Sequence, residues 1–314
     1  MKRFAIAETS MLPSLQPGEE IVATNSREPR IGDVVVFPHP ERNDFWMVKR
    51  RSPAPAPVRN EKIWVESDNQ REGTVDSRSL GPIETTTVWT RVETLDATTF
   101  VEATQLLADE DDTFQRIIDR HGIPEFWHRA PGFRALVLLI LEQQVSLESG
   151  AAMYRRLDDA AGDVSPSSVL SLGNAGLGAI GVTRQKSGYL MNLAALIEDG
   201  SFDLAGLTDL SVPEARDQLV ALKGIGPWTA DAYLLSALRH IDMWPVGDRA
   251  LQVGSGEAIG MSRPPTEGEL ELLAEPWRPI RAAAARLIWH AYLTQRGRRE
   301  PPDPTLTHAC EDYA

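Results

Sequence analysis

A serine near the start of the chain and a lysine further on are of the types that form a nucleophile and its base. Ser10 stands before Met-Leu-Pro, and the strand-like stretch FWMVKRR (45–51) puts Lys49 on one face with Phe45 and Met47, because strand side chains alternate. A serine hydroxyl is a weak nucleophile until a base removes its proton, and burial favours the neutral lysine that can remove it. The residues leave two interpretations open: a buried lysine that could serve a serine as base, and a lysine exposed at a strand end, which is the commoner case for an isolated lysine.

A second group of residues points to anion binding and to a carboxylate. In LKGIGPWTADAYLLSAL (222–238), Gly224 and Gly226 permit a tight turn, and Pro227 suits the first position of a helix. Backbone N–H groups aimed out of such a turn bind anions. Asp248 follows about twenty residues later, before a further helix-like segment. The alternatives are a plain corner between two helices and an aspartate that only caps its helix.

These two groups lie in parts of the chain whose residue patterns predict different secondary structure. Residues 1–95 contain short β-branched stretches separated by proline and glycine, which predicts a small all-β domain. Residues 96–300 carry apolar residues at helical spacing, which predicts an all-α domain. Residues 301–314 are polar and proline-rich, and we expect a flexible tail there. The fold class is therefore multidomain, with the β domain first.

Composition and charge exclude several kinds of site and several classes of protein. The chain has 314 residues, a net charge of −13 and one cysteine, Cys310. A single cysteine excludes an intrachain disulfide and a four-cysteine zinc or iron–sulfur site. The longest apolar run, ALVLLIL (135–141), is shorter than the roughly 20 residues that cross a bilayer, so it predicts a core helix. The acidic balance argues against nucleic-acid binding by bulk charge.

The first part of the chain resembles the type I signal-peptidase family of Ser-Lys proteases, and within it the maturation peptidases of nickel superoxide dismutase. The family's boxes occur in the family's order and span nearly all of residues 8–83. One departure is Glu8, where the family often has serine or glycine beside the oxyanion site. The matching stretches are SMLPSLQPGE (10–19), IGDVVVF (31–37), VKRR (48–51) and SDNQREGTVDSRSLGPI (67–83).

This resemblance implies a role for each matching residue. Ser10 is then the nucleophile, with its backbone N–H donating to the oxyanion, and Lys49 is the general base. Thr74 supplies a hydroxyl near the lysine, and Asp76 and Arg78 form a structural pair. The substrate implied is a protein or peptide.

The second part, from about residue 110 to 297, resembles the helix-hairpin-helix DNA glycosylase superfamily. The nearest branch is 3-methyladenine DNA glycosylase II. The combination of a glycine hairpin, the helix after it and the following aspartate carries this resemblance. Supporting segments are ILEQQVSLESGAAMYRRL (140–157), GVTRQKSGYLMNLA (181–194) and WRPIRAAAARLIWHAYL (277–293).

By this resemblance Asp248 is the catalytic carboxylate, and Trp228, Trp289 and Tyr233 form the base pocket; core packing is the alternative for the tryptophans. Lyase-competent relatives have a lysine where this chain has Trp228, which implies a monofunctional enzyme that leaves an abasic site. Ala232 departs from the tyrosine that relatives often have. The residues implied in DNA binding are Lys223, Gly224, Ile225, Gly226 and Arg249, with Arg263 adding local positive charge.

The sequence therefore predicts a base-excision DNA glycosylase for alkylated purines such as 3-methyladenine, joined to an N-terminal Ser-Lys peptidase domain. Its partner is double-stranded DNA with alkylated bases, and neither a cofactor nor a metal is implied. We expect a bacterial, cytoplasmic, nucleoid-associated monomer without membrane contact. Two alternatives stay open: a serine peptidase whose helical domain is non-catalytic or targets DNA, and a purely structural DNA binder.

Overall fold

The computed structural model describes residues 1–59, 61–70, 73–127 and 129–306. They form two compact units. The first comprises Met1–Asp112 together with the short segment Trp277–Ile280, and the second comprises Thr113–Pro276 together with the chain from Arg281 onward.

The first unit is built on a seven-stranded antiparallel sheet in the order β1-β2-β7-β3-β4-β5-β6. Its strands are rich in β-branched residues, which pack well on a pleated surface. This sheet agrees with the β domain that the sequence predicts. The strands are β1 (Lys2–Ala5), β2 (Glu20–Thr24), β3 (Val34–Pro38), β4 (Trp46–Ser52), β5 (Lys62–Glu66), β6 (Ile83–Glu84) and β7 (Trp89–Arg91).

Strand β3 is the centre of this unit because it is buried on both faces. Val34 and Val36 pack into one apolar cluster, and Val35 and Phe37 pack into another on the opposite face. Neighbouring β4 is buried on one face only, where Lys49 stands opposite Val35 in the register. The sheet thus carries Lys49 into the wall of an apolar layer.

Two helices accompany the sheet: α1 (Ser77–Leu80) and α2 (Ala97–Glu110). Helix α2 begins at a capping box in which Asp96 and Thr99 exchange side-chain and backbone hydrogen bonds. It belongs to the first unit, whereas the sequence pattern predicted a helical domain over residues 96–300. The first unit is therefore a sheet with helices rather than strands alone.

The regular elements in the described part of the second unit are helices and short helical turns. Helix α4 is its core, since residues 135–141 are at most 3% exposed, as the apolar run predicts. No helix in the described part of the chain is long and apolar enough to cross a membrane. The helices are α3 (Asp112–His121), α4 (Phe133–Glu142), α5 (Leu147–Ala161), α6 (Pro166–Ala179), α7 (Arg184–Glu198), α8 (Val212–Val220), α9 (Pro227–Ser236), α10 (Arg249–Ala258), α11 (Glu267–Ala274) and α12 (Arg281–Gln295).

The start of the predicted flexible tail is packed. Pro304 and Thr305 are buried in a helical turn, and Asp303 forms an ion pair with Arg129 at 2.9 Å. Residues 301–306 therefore belong to the helical unit, because this ion pair and the burial hold them in place. The rest of the tail prediction, 307–314 with Cys310, lies outside the described residues.

Candidate active sites

In the first unit the structure brings Ser10 and Lys49 together. Lys49 Nζ donates a hydrogen bond of 2.7 Å to Ser10 Oγ and another of 3.0 Å to the carbonyl oxygen of Val48. The turn that carries Ser10 is anchored by the buried side chains of Met11 and Leu15. Asn69 N donates to Ser10 O at 3.0 Å, which fixes the serine from the other side.

Burial favours the neutral form of the Lys49 amine. Lys49 is 3% exposed, and burial lowers the pKa of its ammonium while the carboxylates of Asp76, Glu8 and Asp68 partly oppose the shift. A neutral lysine at hydrogen-bond distance can accept the proton of the serine hydroxyl. The pair thus has the geometry of a nucleophile with its base.

Asp76 and Arg78 support the loop that follows β5. The Asp76 carboxyl caps α1 and accepts hydrogen bonds from Ser67 N at 3.0 Å, Arg78 N at 3.0 Å and Arg78 Nη2 at 2.6 Å. Burial alone would raise the pKa of Asp76, but the hydrogen bonds from Arg78 and Ser67 outweigh it and lower that pKa to about 2. Thr74, partly buried, lies two residues earlier in the same loop.

In the second unit the glycine hairpin joins α8 to α9. Gly224 has a φ of +93°, and a Cβ there would lie 2.2 Å from Tyr189 Cγ, so only glycine fits. Gly226 has a φ of −86° and caps α9, so its conformation does not require glycine. The Gln143 side chain donates to Gly224 O and Thr229 Oγ1, both at 2.9 Å. The hairpin is therefore tied to the end of α4.

Asp248 both caps α10 and lies between the two tryptophans. Its Oδ1 accepts hydrogen bonds from Leu251 N at 2.7 Å and from Trp289 Nε1 at 2.9 Å. Its Oδ2 accepts one from Trp228 Nε1 at 2.9 Å. Three donors on three helices thus hold one partly exposed carboxyl in a fixed orientation.

These residues line a cavity of about 1050 Å³ in the second unit. Three further lining residues escaped the sequence analysis: Trp127, Arg129 and Glu142. Trp127 packs edge-to-face on Trp289 with ring centroids 5.6 Å apart. The only sequence signal for Glu142 was a charged residue directly after a wholly apolar helical run. Aromatic walls and carboxyl groups suit a flat, electron-poor ligand.

Glu142 is the most perturbed carboxyl of the cavity wall. Burial raises its pKa to about 7; Asp303 and Glu300 add to the rise, and Arg129 and Lys186 oppose it. At neutral pH this carboxyl therefore keeps its proton more readily than an exposed glutamate does.

One predicted pocket residue is placed elsewhere. Tyr233 is fully buried, its hydroxyl accepts a hydrogen bond of 2.9 Å from Gly132 N, and it is not among the lining residues. Ala232 lines the cavity instead. A helix turns by about 100° per residue, so Ala232, one turn after Trp228, shares its face and Tyr233 points into the core.

The residues predicted to bind DNA near the hairpin differ in their exposure and in whether an acidic partner neutralises them. Lys223 and Arg249 are exposed, as is Gly226, while Ile225 is 3% exposed and packs beneath the turn. Arg263 forms a two-pronged ion pair with Glu269, at 2.8 and 2.6 Å. Because that carboxylate neutralises it, Arg263 adds little positive charge.

Two family models match the chain. Residues 137–279 match the model described as HhH-GPD superfamily base excision DNA repair protein. Residues 1–51 match that of signal peptidase, peptidase S26; this short match contains Ser10 and Lys49 and ends before Asp76.

Relatives and solved structures resemble the helical part. The DNA-3-methyladenine glycosylase of Bacillus subtilis is 28% identical over 180 residues, which cover 54% of this chain and 57% of the relative. The chain thus spans less than two thirds of that protein. A DNA-3-methyladenine glycosidase from Bacillus halodurans superposes with a TM-score of 0.54 at 26% identity, over 67% of this chain and 96% of the other.

A Schizosaccharomyces pombe 3-methyladenine DNA glycosylase, solved in complex with abasic DNA, shows the same fold. It superposes with a TM-score of 0.54 at 21% identity and covers 60% of this chain and 95% of the other. The helical secondary structure, the glycine hairpin and the match of residues 137–279 to the family model are consistent with this fold. The helical unit therefore has the helical fold of these solved DNA glycosylases, and its residues 137–279 are similar to the HhH-GPD superfamily.

Proposed function

We propose that the helical unit is a DNA glycosylase that hydrolyses the N-glycosidic bond of alkylated purines such as 3-methyladenine. One observation carries this proposal: the Asp248 carboxyl is held between the indole N–H groups of Trp228 and Trp289 at the wall of a cavity that the glycine hairpin also lines. The similarity to DNA-3-methyladenine glycosylases supports the substrate class.

The geometry supplies what the reaction needs. An enzyme that acts on a base must take it out of the stack, and the cavity of about 1050 Å³ has room for it. As the glycosidic bond breaks, positive charge builds on the sugar, and the fixed Asp248 carboxylate stabilises it. The aromatic faces of Trp127 and Trp289 attract a cationic alkylated base.

The cavity favours a monofunctional enzyme. A lyase of this kind attacks the sugar with a lysine amine, and no lysine is found among the described residues that line the cavity. Trp228 lines the cavity, and by the family resemblance it stands at the sequence position of the lysine in lyase-competent relatives. The product is then an abasic site in an intact strand.

DNA is engaged at the hairpin. Backbone N–H groups at the start of α9 and the exposed side chains of Lys223 and Arg249 provide phosphate contacts. Gln143, whose side chain holds the hairpin carbonyl, keeps the turn next to the cavity.

Release of free base from methylated duplex tests the proposal, with strand nicking scored before and after alkali. Wild type is expected to release methylpurine and to nick only after alkali, while Asp248→Asn releases at least about a hundredfold less. Equal release by both proteins contradicts the role of Asp248. No release by wild type contradicts the glycosylase and leaves the structural DNA binder and the peptidase as the remaining functions.

We also propose a serine-type endopeptidase activity for the first unit, on the strength of the 2.7 Å hydrogen bond from the buried Lys49 to Ser10. The proton of the serine passes to neutral Lys49 as the hydroxyl attacks a peptide carbonyl, and the Ser10 backbone N–H donates to the oxyanion. Cleavage is therefore expected to rise with pH until Lys49 is neutral.

Candidate precursor proteins and unstructured peptides, incubated with wild type, Ser10→Ala and Lys49→Met, test this activity. Both variants are expected to lose cleavage, while methylpurine release stays at the wild-type rate. Cleavage that persists in both variants contradicts the Ser-Lys pair. Loss of methylpurine release in both would instead indicate damage to the whole protein.

A further inference from the structure

Glu142 lies in the cavity wall at a point where a glycine of the neighbouring helix leaves room for its side chain. It is the last residue of α4, and its side chain lies against Gly150 of α5. A Cβ at Gly150 would lie 2.5 Å from Glu142 Cγ, so a larger residue there would displace the carboxyl. Both Glu142 and Asp248 line the same cavity.

The charged groups that face Glu142 come from three directions. Arg129 precedes α4 and is paired with Asp303 of the C-terminal segment at 2.9 Å. Glu300 lies on that segment too, and Lys186 of α7 donates to Leu141 O at 2.7 Å.

Within the described chain, the Glu142 carboxyl has no ion-pair or hydrogen-bond partner. Arg129 and Lys186 are each engaged with another oxygen. Burial without a donor raises the pKa of Glu142 to about 7. A carboxyl that keeps its proton near neutrality and faces an open cavity is suited to donate a hydrogen bond to a ligand.

We propose that Glu142 is a second catalytic residue, the acid that protonates an uncharged purine as it leaves. The inference rests on the proposed glycosylase function. A cationic alkylated purine leaves as a neutral base and needs no proton, whereas a neutral purine leaves as an anion unless an acid supplies one. Glu142 thus extends the reaction from cationic alkylated purines to neutral damaged purines.

The step balances without any co-reactant except water. The electron pair of the C1′–N9 bond passes to the purine, and the Glu142 carboxyl proton moves to a ring nitrogen of that purine. Water adds to C1′ and releases a proton to solvent, from which the Glu142 carboxylate is reprotonated. The Asp248 carboxylate stabilises the positive charge on the sugar.

Two duplexes of identical sequence test the inference, one carrying cationic 7-methylguanine and the other uncharged hypoxanthine. Single-turnover excision is measured for wild type, Glu142→Gln and a matched control, Glu198→Gln, at the exposed end of α7. Glu142→Gln is expected to lose at least about tenfold on hypoxanthine and to change by less than about twofold on 7-methylguanine. The control matches wild type on both.

The wild-type pH profile gives a second readout that needs no variant. The ratio of hypoxanthine to 7-methylguanine excision is expected to fall as pH rises through about 7, because the protonated form of Glu142 is lost. Thermal unfolding checks that Glu142→Gln is folded, and if it is not, this pH ratio decides.

Three results overturn the inference: equal losses of Glu142→Gln on both lesions, no loss on either, or a ratio that is flat with pH. Wild type that releases 7-methylguanine but never hypoxanthine also overturns it and leaves the glycosylase proposal standing. Wild type that releases neither base contradicts the glycosylase proposal itself, and the inference falls with it.

Discussion

Trp289 Nε1 donates a hydrogen bond of 2.9 Å to Oδ1 of Asp248, the same oxygen that accepts the backbone N–H at the start of α10. One carboxyl oxygen is thus shared between a helix cap and an indole of the cavity wall. Asp248 therefore caps α10, as the structural alternative held, and its catalytic role stays a prediction. The capping bond fixes the direction in which the carboxyl faces the cavity.

Two substitutions of Asp248 separate its structural role from its chemical role. Asparagine keeps an oxygen for Leu251 N and Trp289 Nε1, whereas alanine removes the cap and costs about 1 kcal/mol more in unfolding free energy. Both variants are expected to lose methylpurine release to a similar extent, because neither has a negative charge. Urea unfolding and excision assays on the same samples measure the two effects; an active Asp248→Asn would contradict the electrostatic role.

Replacement of Gly224 by alanine is expected to disturb the hairpin. A φ of +93° strains any residue with a Cβ, and the added methyl would lie 2.2 Å from the Tyr189 ring, so the cost is on the order of 2 kcal/mol or more. Gly226→Ala is the matched control, since nothing lies within 4 Å of its added Cβ; it costs about 0.5 kcal/mol. Equal unfolding midpoints for the two variants would contradict this interpretation of the turn.

Lys49→Met is expected to stabilise the first unit near neutral pH. Burial lowers the pKa of Lys49, so the unfolded chain binds its proton more tightly than the folded one, and wild-type stability rises with pH in that window. The advantage of methionine should shrink as pH rises toward the ordinary pKa of lysine, about 10.4. Chemical unfolding of both proteins over this range measures the difference, and a gap that widens with pH would exclude a lowered pKa.

Asp76→Asn is expected to destabilise the first unit by about 2.5 kcal/mol near neutral pH, because a pKa that falls from 3.8 to about 2 on folding corresponds to that energy. The pKa of Asp76 lies at about 2 in the folded protein against its usual 3.8. The contribution of Asp76 to the unfolding free energy is therefore fully present above about pH 3.8 and is lost as the pH falls through about 2. Unfolding at several pH values measures this, with exposed Glu28→Gln as the control. A stability gap that persists unchanged at the acid end would contradict it.

DNA binding is expected to be weak on undamaged duplex and strongly dependent on salt, because the net charge of −13 leaves only local cationic patches. Lys223→Ala and Arg249→Ala should each reduce the slope of log affinity against log salt by about 0.9, the value for one phosphate that is no longer neutralised. Arg263→Ala should change it less, because Glu269 already neutralises that arginine. Fluorescence anisotropy titrations at several salt concentrations measure the slopes. A tight, salt-insensitive complex would refute this.

The features that the sequence predicts correctly are those that depend on local periodicity. Strand alternation placed Lys49 on the buried face with Met47, and the structure buries both. The glycine turn and the aspartate before a helix are likewise local patterns, and their meeting at one cavity followed from the family resemblance. Tyr233 shows how narrow this evidence is, because a shift of one residue on α9 turns a side chain from the cavity into the core.

The remaining site residues come together only in the folded chain. Trp127 and Arg129 lie in an irregular segment before α4, and Glu142 ends a helix that is otherwise apolar. No spacing rule connects these positions to Asp248 more than a hundred residues away. The perturbed pKa of Glu142 arises from burial among groups of three other segments, and a linear pattern does not contain that information.

The bonds from Trp228 and Trp289 to one carboxyl also give the cavity an optical signature. Indole emission responds to the polarity and charge around the ring, and both rings hydrogen-bond to Asp248 and line the cavity. A base bound between them, as the proposed function requires, would displace solvent from two fluorophores at once. Rapid-mixing fluorescence would then time the arrival of the nucleotide separately from bond cleavage, without any added dye.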